Sequence, residues 1–234
     1  MLGGCDRGVP NRHTGAVTDS RQHTEPRQHT GPGIERKQQL LRAAEELFTQ
    51  RGYGATRISD ICAAAGVAKG LFYWYFPTKE SLFAELVRTM RLALRRAQAA
   101  AMSPDADPVT RICQGAEASV RFMAEHQPYF ALLDVERTDD ALATVLQQGS
   151  DVYADDVRRL VVDAQQAGLM HDGDPDFFTI GILGAVSSFS NAHRRGRLEM
   201  SIDELAPLVG DWVRQAMSGR APTPATDRGA ASPD

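Results

Sequence analysis

The stretch Gly66-Val67-Ala68-Lys69-Gly70-Leu71-Phe72-Tyr73-Trp74-Tyr75-Phe76 decides how this chain reads. Ahead of it, Ile58, Ile61, Cys62 and Ala65 recur at three- and four-residue spacing, one apolar face of a short helix. Gly66 then supplies a left-handed turn, which costs a residue with a side chain about 1–2 kcal/mol. Beyond the turn, Val67, Leu71 or Phe72, and Phe76 can pack inward on a second short helix, leaving Lys69, Gly70, Tyr73 and Trp74 outward. A soluble helix seldom presents Tyr and Trp beside Lys on a face that meets nothing. Ala63 and Ala64 are small enough for the two helices to cross closely. This is the pattern of a helix-turn-helix, whose second helix enters a DNA groove.

The flanks complete a three-helix unit. From Ile34 to Arg51, the residues Leu40, Leu41, Ala44, Leu47 and Phe48 form one apolar face, and Gly52 and Gly54 around Tyr53 end the helix. Pro77 breaks the chain after Phe76, and Thr78 caps a helix that begins at Lys79 and carries Leu82, Phe83, Leu86, Val87 and Met90.

With these residues assembled, positions 34 to about 90 resemble the DNA-binding domain of the tetracycline-repressor (TetR) family of bacterial regulators. The matching pieces are Ala43-Ala44-Glu45-Glu46-Leu47-Phe48 with Gly52-Tyr53; Ala55-Thr56, Ile58 and Asp60-Ile61; Ala65-Gly66-Val67, Lys69-Gly70, Phe72-Tyr73 and Tyr75-Phe76; and Lys79-Glu80 with Leu82. The resemblance implies DNA contacts by Thr56, Lys69, Gly70, Leu71, Tyr73, Trp74, Tyr75 and Lys79. Lys69 would meet phosphate or a guanine edge, Gly70 would let the backbone near the groove, and Tyr73 and Tyr75 would offer hydroxyls to phosphates. Thr56 and Lys79 fall where the family places phosphate contacts. Trp74 and Tyr75 also read as packing within the domain. The chain departs from the family at Ala68, where Ser is usual and would cap the reading helix, and at Leu71, where a small polar residue is common. Leu71 can touch a thymine methyl but cannot hydrogen-bond a base.

Charge supports this division. The chain carries a formal −4, yet residues 34–100 hold 11 Lys/Arg against 6 Asp/Glu, while residues 101–234 hold 11 against 21. The basic charge therefore lies on the helix-turn-helix segment and the acidic charge on the rest, which disfavours wrong-way docking on phosphate. No run of eighteen apolar residues exists and the N-terminus lacks an apolar signal core, so neither a membrane span nor export is expected. Cys5, Cys62 and Cys113 are unclustered and fit a reducing cytoplasm.

The expected fold is all-α: an N-terminal three-helix helix-turn-helix domain over 34–80 and a helical ligand-binding and dimerisation domain over 81–218. Residues 1–33 and 219–234 read as disordered tails. The first carries Arg-Gln-His-Thr twice, at 21–24 and 27–30, and has a second reading as an arm whose Arg27 reaches DNA. In the C-terminal part, Asp107-Pro108, Asp174-Pro175 and Ser201 with Glu204 mark helix starts, and Gly168 marks a stop. No alternating strand pattern appears.

Phe122, Met123, Tyr129, Phe130, Tyr153, Phe178 and Phe189 are candidates for an apolar pocket that would take a hydrophobic or amphipathic effector with few fixed charges nearby. Gly181, Gly184, Ala185, Ser187 and Ser188 give one helix a small-residue face, suited either to a homodimer bundle or to close packing within one subunit. His126, His171 and His193 lack metal-ligand spacing. Phosphate-loop, nucleophile-elbow and zinc-protease motifs are missing, so no cofactor, metal or catalytic residue is expected. The chain thus reads as a cytoplasmic, homodimeric, ligand-responsive regulator, most simply a repressor, on an inverted-repeat operator of double-stranded DNA. The alternative is a helix-turn-helix protein whose C-terminal domain docks a protein partner instead of a small molecule.

Overall fold

Side-chain caps written in the sequence open four of the helices. The computed structural model describes residues 31–136 and 140–218, which form α1 (Gly31–Arg51), α2 (Ile58–Ala64), α3 (Lys69–Tyr75), α4 (Lys79–Ala101), α5 (Pro108–Glu125), α6 (Gln127–Glu136), α7 (Asp140–Gln166), α8 (Pro175–Arg194) and α9 (Ile202–Ser218). The expected all-α class is the observed one. At α4 the Thr78 hydroxyl accepts from Ser81 N–H at 3.1 Å, and the Ser81 hydroxyl accepts from Thr78 N–H at 3.1 Å. Asp107 accepts from Thr110 N–H at 2.9 Å at α5, and Asp174 from Asp176 N–H at 2.9 Å at α8. At α9, Glu204 accepts from Ser201 N–H at 2.9 Å. Each such cap satisfies backbone groups left unpaired by the helix, for about 1 kcal/mol.

One boundary differs from the sequence reading. α1 begins at Gly31 rather than Ile34, with Pro32 in its first turn, where a missing N–H costs nothing. α9 runs unbroken through Pro207. The turns fall as expected: Gly66 has φ +65° and Gly168 φ +66°.

The apolar faces close two cores. In the head, Leu40, Leu47 and Phe48 of α1 meet Ile61 of α2, Phe72 of α3 and Leu82, Phe83 and Val87 of α4. Phe48, Tyr53 and Phe83 pack with ring centroids 5.2–5.9 Å apart. Tyr129 and Leu132 of α6 are buried in this same core, so α6 ties the C-terminal helices to the head. The second core forms around α5, where Ile112, Ala116 and Val120 meet Val161 of α7, Ile182 and Val186 of α8, and Val209 and Val213 of α9. No helix among the described residues is long and apolar enough to cross a membrane.

Candidate nucleic-acid interface and ligand cavity

The reading helix α3 is fixed from inside by Phe72, fully buried, and by Phe76, both packed in the head core. Four residues are left outward: Lys69 and Gly70 are exposed, Tyr73 is 49% exposed and Trp74 46%. The Lys69 ammonium lies 6.0 Å from the centre of the Tyr73 ring, so a cation and an aromatic hydroxyl share one face. A Cβ built on Gly70 meets nothing within 4 Å. Nothing inside the protein therefore requires glycine at that position, and its small size has consequences only for an outside partner. Ala68 precedes α3 without a side-chain cap, which follows from the methyl standing where a hydroxyl would accept. Leu71 is half-buried.

Three other residues carried over from the family turn inward. Tyr75 is half-buried and its hydroxyl donates to Gly33 O at 2.7 Å, tying the start of α1 to the end of α3. Thr56 is 1% exposed, with its hydroxyl donating to Gly52 O at 2.8 Å. The Lys79 ammonium donates to Tyr53 O at 2.8 Å and Thr56 O at 2.9 Å and sits 4.1 Å from the centre of the Tyr53 ring. Tyr53 in turn donates to Glu80 at 2.8 Å. Thr56 and Lys79 therefore brace the loop between α1 and α2, and only one of the three Lys79 N–H groups is left for an anion. Sequence reasoning missed this clamp because its acceptors are backbone carbonyls, which no residue pattern displays. It also passed over Arg57, an exposed cation just before α2. A second brace is Glu85 of α4, which accepts from Lys37 of α1 at 2.6 Å and from Arg88 at 2.7 Å. Those cations hold its carboxyl well below the usual range, at about 2, with Arg88 the larger cause.

Of the pocket candidates, Phe122, Phe130 and Tyr129 pack on one another, while Phe178 and Phe189 pack elsewhere. Phe122 is buried and stacks on His126 at 4.0 Å, with Phe130 6.3 Å away edge-on. Tyr129 belongs to the head core, and burial pushes its phenol up. Phe178 packs against His171 and Phe177, and Phe189 against Trp212 on α9. Met123 lies half-buried beside the second core, and the Tyr153 side chain is outside the described residues.

Apart from a groove of about 310 Å³ that Phe122 and Arg121 line, a cavity of about 350 Å³ lies between α4, α5, α7 and α8. Its apolar wall is Met102, Ile112, Val157, Leu160, Ile182 and Val186. Arg95, Arg111, Arg159, Asp156 and Asp163 also line it, against the expectation of few fixed charges. Arg95 pairs with Asp156 at 2.7 Å, and Arg159 pairs with the same carboxylate at 3.0 Å. No group of three or more metal-ligating side chains occurs among the described residues. His126 and His193 lie 3.0 Å from the carbonyls of Phe122 and Met200, which makes them helix-end residues.

A basic helix-turn-helix head braced onto an acidic helical body with a cavity defines a DNA-binding regulator. Comparison with known proteins agrees. Residues 40–86 match the model of bacterial regulatory proteins of the tetR family, and residues 105–211 match the tetracyclin repressor-like C-terminal domain. The chain belongs to the TetR family of transcriptional regulators, which are not enzymes. It is 27% identical over 139 residues to the HTH-type transcriptional regulator YhgD of Bacillus subtilis, covering 59% of this chain and 65% of YhgD, just under two thirds of that relative. It is 25% identical over 182 residues to the HTH-type transcriptional repressor DhaR of Mycobacterium sp., covering 72% and 86% of the two chains. A TetR-like transcriptional regulator from Rhodococcus sp. RHA1 superposes with a TM-score of 0.63 at 24% identity, covering 79% of this chain and 97% of the other, which shows the shared fold.

Proposed function

We propose that the protein is a homodimeric repressor that binds an inverted-repeat operator and releases it when a small molecule occupies the cavity between α4, α5, α7 and α8. The observation that carries ligand response is the double role of α4. Its first half, Leu82, Phe83, Leu86 and Val87, is buried in the head core; its second half, Arg95, Gln98, Ala99 and Met102, lines the cavity. A ligand that displaces the second half must carry the head with it, because packed cores do not deform continuously. It shifts DNA binding only by as much as it prefers one arrangement over the other.

The dimer rests on an uncovered face. Phe177 is 57% exposed, Ile180 71%, Leu208 54% and Trp212 46%. On α8 these apolar residues alternate with exposed Gly181, Gly184, Ser187 and Ser188, and a Cβ at either glycine meets nothing within 4 Å. An apolar face dotted with small residues suits the close approach of a second copy of the same two helices. The protein-docking alternative would use this same face for another partner. The cavity favours the small-molecule reading.

Sedimentation of Ile180→Glu against the wild type tests the dimer. At micromolar concentration the wild type is expected to be a dimer and the variant a monomer with unchanged helical content. Its operator affinity should fall by at least about tenfold, since a single head reads only a few base pairs. A wild-type monomer that binds its operator in full would contradict the proposal.

A further inference from the structure

Among the five charged residues of the cavity, one stands apart. Arg95 and Arg159 share the Asp156 carboxylate. Asp163 is exposed and makes no ion pair among the described residues, so water solvates it. Arg111 projects from α5, half-exposed as a residue, yet its Nε is buried and has no hydrogen-bond partner. No hydrogen bond or ion pair joins its guanidinium to a described side chain. A buried donor on a permanent cation is costly to leave unsatisfied. With three arginines against two aspartates, the cavity also holds one positive charge in excess. The rest of its lining is aliphatic: Met102, Ile112, Leu160, Ile182 and Val186.

On these grounds we infer that the effector is an amphiphile bearing a single anionic group of carboxylate type, its head bound by Arg111 and its apolar body against the aliphatic wall. A planar carboxylate suits the guanidinium fork, which can donate two parallel hydrogen bonds to it. A polyanion does not fit, because Asp156 and Asp163 line the same cavity and would repel a second negative charge. A cation would face an excess of arginine. The cavity lies at the small end of small-molecule sites, which run from ~300 to ~1,000 Å³, so a short body is admitted and a bulky conjugate is not. This assignment rests on the ligand-responsive reading and specifies the chemistry of its site.

The test compares decanoate, decanol and decylamine, all below their micellar concentrations, on the full-length protein. The readouts are melting temperature and release of a bound operator fragment. Decanoate is expected to stabilise the protein and release DNA, with decanol and decylamine much weaker. Arg111→Met, which keeps an unbranched apolar stem and removes the guanidinium and its charge, should melt near the wild type in the absence of ligand. It should lose about tenfold or more of its decanoate affinity while its response to decanol stays the same. Arg111→Lys should keep the preference for the acid. Decanol or decylamine acting as strongly as decanoate on the wild type would overturn the inference, and so would undiminished decanoate binding by Arg111→Met or no response to any of the three. The broader reading fails by a different result: no compound of any charge in a metabolite set moves the operator complex.

Discussion

At the scale of single residues, the interface divides into side chains that face outward and side chains that hold the others in place. Gly70 separates the two. Alanine there meets nothing within 4 Å and removes a glycine from a helix. Gly70→Ala should therefore leave stability unchanged or raise it by up to about 1 kcal/mol, while operator affinity falls if the backbone approaches the groove. Urea unfolding beside a binding titration checks both halves. Lys69→Ala should weaken operator binding with no change in unfolding midpoint, because Lys69 is exposed and its ammonium sits a loose 6.0 Å from the Tyr73 ring. Lys79→Ala should behave differently. It removes two hydrogen bonds to backbone carbonyls and a cation over Tyr53, so it should destabilise the head by about 1–3 kcal/mol. A Lys79→Ala protein as stable as the wild type would return the residue to a purely phosphate-contacting role. The outward face of α3 was legible in the sequence, because inward and outward positions follow from helical spacing. The inward turn of Thr56 and Lys79 was not, because each answers a carbonyl placed by the fold; for Tyr75 packing was one of two readings, and the bond to Gly33 O needed the structure.

At the scale of helices, local signals carried most of the information. Asp107, Asp174, Ser201 and Thr78 open the helices the sequence assigned to them, since a cap acts within three residues of itself. The joint between α1 and α4 is a long-range matter. Glu85 bridges Lys37 across 48 positions, and its carboxyl is held at about 2 against an ordinary 4.5. A lowered carboxylate pKa contributes stability that is fully present above about pH 4.5 and disappears as pH falls toward 2. Arg88 is largely exposed, so screening limits this contribution to about 1 kcal/mol. Glu85→Gln should lower head stability by about that amount at neutral pH and flatten its fall between pH 5 and pH 2, measured by urea unfolding across that range. An identical pH profile in the variant would show that the bridge contributes nothing.

At the scale of the whole molecule, the distribution of charge and of uncovered apolar surface matters more than any element. The head is basic and the body acidic, so the logarithm of DNA affinity should fall linearly with log salt concentration. The family and the all-helical fold were legible from the first four helices, because each matched residue fixes a local requirement. The cavity was not. It depends on how four helices meet, and some of the aromatic residues that looked like its lining are buried elsewhere, as Tyr129 is in the head core. The face proposed above for a second copy was half legible: Gly181 and Gly184 gave its small residues, while the exposure of Ile180 and Trp212 needed the structure. The most direct measurement of the central claim is to select genomic DNA fragments on the purified full-length protein and sequence those retained. A dimer presenting two copies of α3 should enrich a two-fold symmetric motif, with half-site centres about one helical turn, ~10 bp, or somewhat more apart. Enrichment of an asymmetric motif, or of none, would contradict it.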